Sequence, residues 1–363
     1  MTRRRVGGLV SAVLIIGATL LSAAPATAKG HLDVLLDGLS SPKAIAVGPK
    51  DIFVGQGWIG PPGPVLDYSL TGGRGTARAV TDPVPVADIA GTPDGAGWAI
   101  VNDGPTGRIL VRQASEGATV EPILDIIAYQ AGDPDPYDQE ASPIESNPNG
   151  LAGLSNNDVL LVDAAGNDLI RVSPDGTART VARWSLEPEV GTDHLGNPNL
   201  PPTLPAEAVP TTVAIGPDGW AYVGQLIGFP GKPGSAHIWR VNPNSEDQVC
   251  SVDPALATAG CSVWKSGFTS IFDIAFNPNN GTLYVYEIAE DGFLAFEPGF
   301  ATGDFPPAVL LEVKGNRTRE LVRGQLSEPG GVAVGKDGSI YVTDGVISFS
   351  DAGHGRLLKV RGS

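Results

Sequence analysis

Short apolar segments alternate with tight turns along most of the chain. Six of these units share one pattern, an apolar strand, a turn of the Gly-Pro-Asp-Gly kind, a second apolar strand and a polar residue. The copies start at Ala44 (AIAVGPKDIFVGQ), Asp88 (DIAGTPDGAGWAIVN), Gly150 (GLAGLSNNDVLLVD), Thr212 (TVAIGPDGWAYVGQ), Asp273 (DIAFNPNNGTLYVYE) and Gly331 (GVAVGKDGSIYVTD). Successive starts lie 44, 62, 62, 61 and 58 residues apart. A third strand follows most copies, as in RILVRQ, DLIRVSP, HIWRVNP and RLLKVRG, and a fourth is readable in ARTVARW and TRELVRG.

Three or four short strands per copy, recurring without helical periodicity, predict an all-β fold of propeller blades or a sandwich. A sandwich has no reason to repeat its hairpin six times, so a six-bladed β-propeller is expected. The last blade ends at Leu357 to Val360, and His31 to Leu36 offers a lone strand to complete its outer edge. Pairing of the N- and C-terminal strands would close the ring and remove an open edge. In the turns, Pro presets one backbone angle and Gly accepts a positive one, as at Pro217-Asp218-Gly219. These turns lack the run of oxygen ligands that a calcium loop needs.

The first 28 residues change the picture of where the protein works. Arg3-Arg4-Arg5, an apolar run from Leu9 to Leu21 and the small-x-small Ala26-Thr27-Ala28 read as a cleavable signal peptide. The expected division is a signal peptide at 1–28 and a single propeller domain at 29–363, secreted and extracellular, with an uncleaved membrane anchor as the alternative. No later stretch approaches the roughly 18 apolar residues of a membrane span, so no membrane insertion is expected after cleavage. Removing three Arg and no acid takes the formal charge from -16 to -19, a balance that repels nucleic acid and anionic lipid. The two cysteines, Cys250 and Cys261, sit in a polar segment and read as a loop-closing disulfide in an oxidising compartment, with two free thiols as the alternative.

Candidate chemistry gathers on the face opposite the Gly-Pro-Asp-Gly turns, where the longer insertions lie: 131–149, 185–211 and 225–236. Every second strand ends there in a polar side chain, Gln56, Asn102, Asp163, Gln225, Glu287 or Asp344, and strand starts add Asp88, Asn147, Asn149, Thr211, Thr212 and Asp273. Polar residues end strands in any soluble propeller, where they satisfy loop amides; the sharper expectation is a ring around a channel mouth. Within it, Glu145, Asn147, Asp163, Asn167, Asp168, Gln225 and Glu287 suit a polyol or a hard cation such as calcium, with Glu145, Asp163 and Glu287 as candidate metal ligands. Without a cation, close carboxylates would raise one another's pKa and serve as acid and base. No G-x-S-x-G, H-E-x-x-H, C-x-x-C or Walker motif occurs, and the four His, at 31, 194, 237 and 354, do not cluster in sequence.

The run AVPTTVAIGPDGWAYVGQLIGFPGKPGSAHIWRV (208–241), with ESNPNGL (145–151), LLVDAAGNDLIRVSPDG (160–176) and GFTSIFDIAFNPNNGTLYVYEI (267–288), resembles the ScyD/ScyE family, exported propellers named after proteins encoded with the scytonemin sunscreen pathway. The resemblance implies the fold and export and no particular reaction. More distantly, the gluconolactonase-like six-bladed hydrolases bind a divalent cation through a Glu, two Asn and an Asp. Asn102-Asp103, Asn149 and Asp273 compare with that set, but Ser41-Pro42-Lys43 stands where the acid of the first blade is expected. The first expectation is therefore a monomeric binding or accessory propeller holding a small molecule, a glycan or an extracellular protein partner. A metal-dependent hydrolase or lyase of lactone-type substrates is the alternative.

Overall fold

Strands buried on both faces read as unbroken apolar runs rather than alternating ones. The second strand of four repeats, VLLVD, AYVGQ, LYVYE and IYVTD, is buried at every position. Each therefore lies in a sheet packed between two others, as propeller blades are. The computed structural model describes residues 30–71, 77–102, 107–347 and 353–361; the expected signal peptide (1–28) and Asp103 lie outside them.

The described chain enters on β1 (His31–Leu39), which belongs to the last blade. Blade one is β2 (Ile45–Val47), β3 (Asp51–Val54), β4 (Leu66–Ser69) and β5 (Ala77–Ala79). Blade two is β6 (Val86–Gly91), β7 (Gly97–Asn102), β8 (Arg108–Gln113) and β9 (Val120–Asp125), followed by α1 (Ile126–Gly132). Blade three is β10 (Pro148–Gly153), β11 (Val159–Asp163), β12 (Asp168–Val172) and β13 (Ala178–Trp184). A separate hairpin of β14 (Glu187–Gly191) and β15 (Thr203–Ala206) precedes blade four, which is β16 (Pro210–Ile215), β17 (Ala221–Gln225), β18 (Ala236–Val241) and β20 (Cys261–Phe268). Between β18 and β20, β19 (Gln248–Cys250) joins blade three as a parallel fifth strand beside β13. Blade five is β21 (Ile271–Phe276), β22 (Leu283–Glu287), β23 (Val309–Lys314) and β24 (Arg317–Val322), with α2 (Phe293–Phe296) and α3 (Gly299–Thr302) inserted after β22. Blade six is β25 (Pro329–Val334), β26 (Ile340–Asp344), β27 (Gly355–Arg361) and β1.

The six-bladed propeller expected from the repeats is the fold. Its closure is also the expected one: β1 runs antiparallel to β27, from His31 opposite Arg361 to Leu39 opposite Gly355. In the turns, Gly95, Gly219 and Gly338 take φ of 84°, 77° and 82°. The Asp before each accepts the amide two residues further on, Asp94 from Ala96, Asp218 from Trp220 and Asp337 from Ser339. Those carboxylates are structural.

Hydrophobic clusters fill the gaps between consecutive blades. Leu160, Trp184, Val223 and Trp239 are in the gap between blades three and four, Ile238, Ile271 and Val285 between four and five, and Ile52, Tyr341 and Leu357 between six and one. Cys250 and Cys261 form a disulfide. It ties β19, at the edge of blade three, to the first residue of β20 in blade four, so it bridges two blades as well as closing a loop. Closing a loop of this sequence separation, 11 residues, restricts the unfolded chain by about 3 kcal/mol. Reduction, or Cys261→Ser, should lower unfolding stability by about that amount, read as a lower denaturant midpoint in chemical unfolding with and without reductant.

Candidate functional site

The inner strands enter the ring through a shared irregularity. In blades two to five the register slips by one residue near the start of the inner strand, between Val86 and Asp88, Pro148 and Gly150, Pro210 and Thr212, and Ile271 and Asp273. A bulge of this kind leaves one residue unpaired and re-aims its side chain. The unpaired residues are Ala87, Asn149, Thr211 and Phe272. The residues after them latch one blade to the next. Asp88 Oδ2 accepts the Leu151 amide at 2.6 Å, Thr212 Oγ1 donates to Asp273 Oδ1 at 2.6 Å, and Asp273 Oδ2 accepts the Val332 amide at 2.7 Å. Glycine takes the latch position in blades three and six because nothing larger fits: a Cβ on Gly150 would lie 2.9 Å from Thr212 Cα, and one on Gly331 2.8 Å from the Lys43 carbonyl.

The polar side chains that end the second strands tie loops. Gln56 Oε1 accepts the Ser40 amide and its Nε2 donates to the Pro64 carbonyl. Asp163 accepts from Ser146 Oγ and from the amides of Asn147, Ala165 and Gly166. Gln225 Nε2 donates to Glu187 Oε1, and its Oε1 accepts from Trp239 Nε1. Glu287 Oε1 accepts the Thr269 amide at 2.7 Å. Asp344 accepts the amides of Ser327 and Glu328 and pairs with Arg356. In blades one, three, five and six the loop held is the one leading into the blade's own inner strand. Burial raises the pKa of Asp163 and pushes that of Glu287 up to about 7.

Asn167 and Asp168 also hold insertions in place. Asn167, at φ 46°, donates to Asp135 and Glu207 and accepts the Val209 amide. Asp168 accepts both its hydrogen bonds from Gln130 of α1, and burial raises its pKa well above the carboxylate range, with Asp163 adding repulsion. Glu145 is exposed.

On the channel axis the sequence departure at Ser41-Pro42-Lys43 acquires a physical meaning. Lys43 is 5% exposed, and its Nζ donates to the carbonyls of Ala87 and Asn149 at 3.1 and 2.6 Å. Burial lowers its pKa, against the pull of Asp88 and Asp273. Burial pushes Asp88 up to about 7, against the opposing pull of Lys43, and raises Asp273 as well. The ammonium also lies 5.4 and 5.8 Å from the ring centroids of Phe272 and Trp58.

Those two rings, 5.3 Å apart edge to face, line a cavity of about 430 Å³ at the channel mouth. Phe229, Phe293, Phe296 and Phe300 line it too, with Ile227, Ile288, Val346 and Ile347. Its polar lining comes from Glu140, Asn147, Asn149, Thr211 and Glu297. The phenylalanines of α2 and α3 pack on one another and on Phe305, with Phe296 4.6 Å from Phe305 and 5.7 Å from Phe300.

With this geometry in hand, the chain can be set beside known proteins. No family model matches it, and no curated protein does. Solved structures do. A glucose dehydrogenase aligns over 92% of this chain and 100% of its own at 12% identity, with a TM-score of 0.56. The PQQ-bound aldose sugar dehydrogenase of Streptomyces coelicolor aligns over 92% and 98% at 14% identity, TM-score 0.54. A streptogramin B lyase aligns over 92% and 98% at 14% identity, TM-score 0.49. The shared feature is the six-bladed propeller. At these identities the likeness is one of fold.

Of the residues singled out in the sequence, the structure brings Asn147, Asn149 and Thr211 to the cavity wall. Asp163, Thr212, Gln225, Asp273, Glu287 and Asp344 are spent on latches and loop ties instead. Glu145, Asp163 and Glu287 do not meet around a cation: among the described residues no three His, Cys, Asp or Glu side chains gather in a way that could hold one. Asp163 and Glu287 end strands of different blades, each turned to its own loop, and Glu145 is exposed. Sequence reading missed Lys43, Trp58, Phe272 and the α2–α3 segment; the visible signal for the last was Phe at 293, 296, 300 and 305, close to helical spacing.

Two outcomes test this division. Lys43→Met leaves Asp88 and Asp273 buried without their cation and should cost about 3 kcal/mol of stability, less at pH 5 than at pH 8 because the carboxylates can then take up protons. Glu287, with its pKa raised on folding, holds its proton more tightly in the folded chain. Its contribution is therefore full below about 4.5 and is lost as pH rises through about 7. Glu287→Gln should narrow the gap between thermal midpoints at pH 5 and pH 8.

Proposed function

We propose that this protein is an exported propeller of the ScyD/ScyE type that acts by binding, taking a small, largely apolar ligand into the cavity at its channel mouth. The observation that carries the reading is that cavity: about 430 Å³, walled by aromatic rings with a few polar groups. Ligand sites are commonly concave, mostly apolar and between roughly 300 and 1,000 Å³. The polar ring expected around the mouth would have favoured a glycan, but most of its members bind the protein's own backbone. The disulfide between Cys250 and Cys261 is in keeping with an extracellular protein.

The hydrolase or lyase reading has less behind it. The carboxylates that face the channel, Asp88 and Asp273, already share the ammonium of Lys43, and a divalent ion beside it would be repelled. Redox chemistry of the sugar dehydrogenase kind is disfavoured by the lining. An anionic quinone such as PQQ would meet Glu140 and Glu297, and among the described residues no Lys, Arg or His side chain lines the cavity.

A thermal-shift screen of neutral aromatic fragments is the direct test. Binders should raise the melting midpoint of the wild type by a few degrees and leave Gly228→Leu unmoved. A Cβ at Gly228, on the cavity wall, meets its nearest neighbour, the Glu207 carbonyl, at 3.5 Å, so the variant narrows the site without backbone strain. Absence of any binder would remove the reading. Stoichiometric divalent metal together with turnover in a lactone and ester screen would install the alternative.

A further inference from the structure

The two ends of the cavity differ in charge. Its inner end is walled by Phe272, 3% exposed, and by Trp58. Lys43 Nζ stands 5.4 and 5.8 Å from the centroids of those rings, so this end takes an apolar body and resists a cation. The outer end carries Phe229, 54% exposed, and the exposed carboxylates of Glu140 and Glu297. Among the described residues these two are the only charged side chains that line the cavity.

The loops around the mouth add to that field. Insertion 131–149 holds five acids and 288–308, which includes α2 and α3, holds four, with no Lys, Arg or His in either. Arg183 and Arg323 answer one acid of each, Asp133 and Glu290. Segments 103–106 and 348–352, which follow Asn102 and Ile347 in sequence, carry Asp103 and Asp351 and no basic residue. Acidic loops around a low-dielectric cleft focus a negative potential that draws cations and repels anions. The face of an aromatic ring attracts a cation as well, which suits Phe229 to the same end.

Resting on the reading of this cavity as the binding site, we propose that its ligand is an organic cation, an aromatic body with a protonated or quaternary amine at one end. The body lies inward against Trp58 and Phe272, and the charge stays at the outer end with Phe229, Glu140 and Glu297. Those two carboxylates set the preference, because they are the acids on the wall itself. A neutral analogue keeps the contacts of the body and loses those of the charge, and an anionic one is repelled.

Three probes with one shared body separate the possibilities by calorimetry on the full chain at pH 7: 2-naphthylmethylammonium, 2-naphthylmethanol and 2-naphthoate. Wild type should bind the ammonium at least five-fold more tightly than the alcohol and at least ten-fold more tightly than the carboxylate. Glu140→Gln combined with Glu297→Gln, both at exposed positions, should lower the ammonium-to-alcohol ratio at least three-fold. A wild-type preference for the ammonium below five-fold over the alcohol, or below ten-fold over the carboxylate, overturns the cation. Binding of the alcohol leaves the cavity reading standing in that case, whether or not the variant folds. A preference that the double variant keeps overturns the part given to Glu140 and Glu297. If none of the three binds, the cation and the cavity reading fall together.

Discussion

A buried ammonium is tolerated only where carboxylates and carbonyls surround it, and Lys43 has both. Its Nζ reaches the carbonyls of Ala87 and Asn149, the bulged residues of two successive blades, and so holds both bulges in place. Its charge lets Asp88 and Asp273 stay in the channel, where their oxygens accept amides of the following blades. Without the lysine those latches would be two buried like charges. Its position behind Trp58 and Phe272 makes the inner wall of the mouth aromatic and closes the channel centre to a second cation.

Repetition builds the ring, and departures from repetition build the site. Positions that are equivalent by register hold Ala87, Asn149, Thr211 and Phe272. One arc of the mouth is therefore polar and another aromatic. The α2–α3 insertion of blade five deepens the aromatic side with Phe293, Phe296 and Phe300. A ring of six similar units thus ends in a one-sided cavity, which is what recognition of an asymmetric molecule requires.

Much of the fold was legible because its signals are local. Gly219 and Pro217 announce their turn wherever they stand, the apolar runs announce buried strands, and a spare strand at His31 to Leu36 announces the closure. The site was less legible because its signals are not local. A polar residue at the end of a strand reads alike whether it faces a ligand or a loop; only the partner decides, and the partner of Glu287 is the amide of Thr269, 18 residues earlier. The bulge between Pro148 and Gly150 is invisible in sequence, yet it leaves Asn149 unpaired at the cavity wall. Lys43 could be read as an absence, a missing acid, before the structure revealed the charge that replaces it.

The pairing of β1 with β27 sets a condition on how the molecule is made. Asp33 lies opposite Lys359, so β1 waits for the five intervening blades to be synthesised before it finds its partner. Contacts of such wide separation cost the most entropy to close and form late. Until then blade six is a three-stranded sheet with an open edge, and β1 is an unpaired strand. A second chain at the same stage presents the same two surfaces. The joint that seals the finished ring is thus also the point at which two unfinished chains could exchange strands, and crowding during synthesis weighs on that step more than on any blade formed before it.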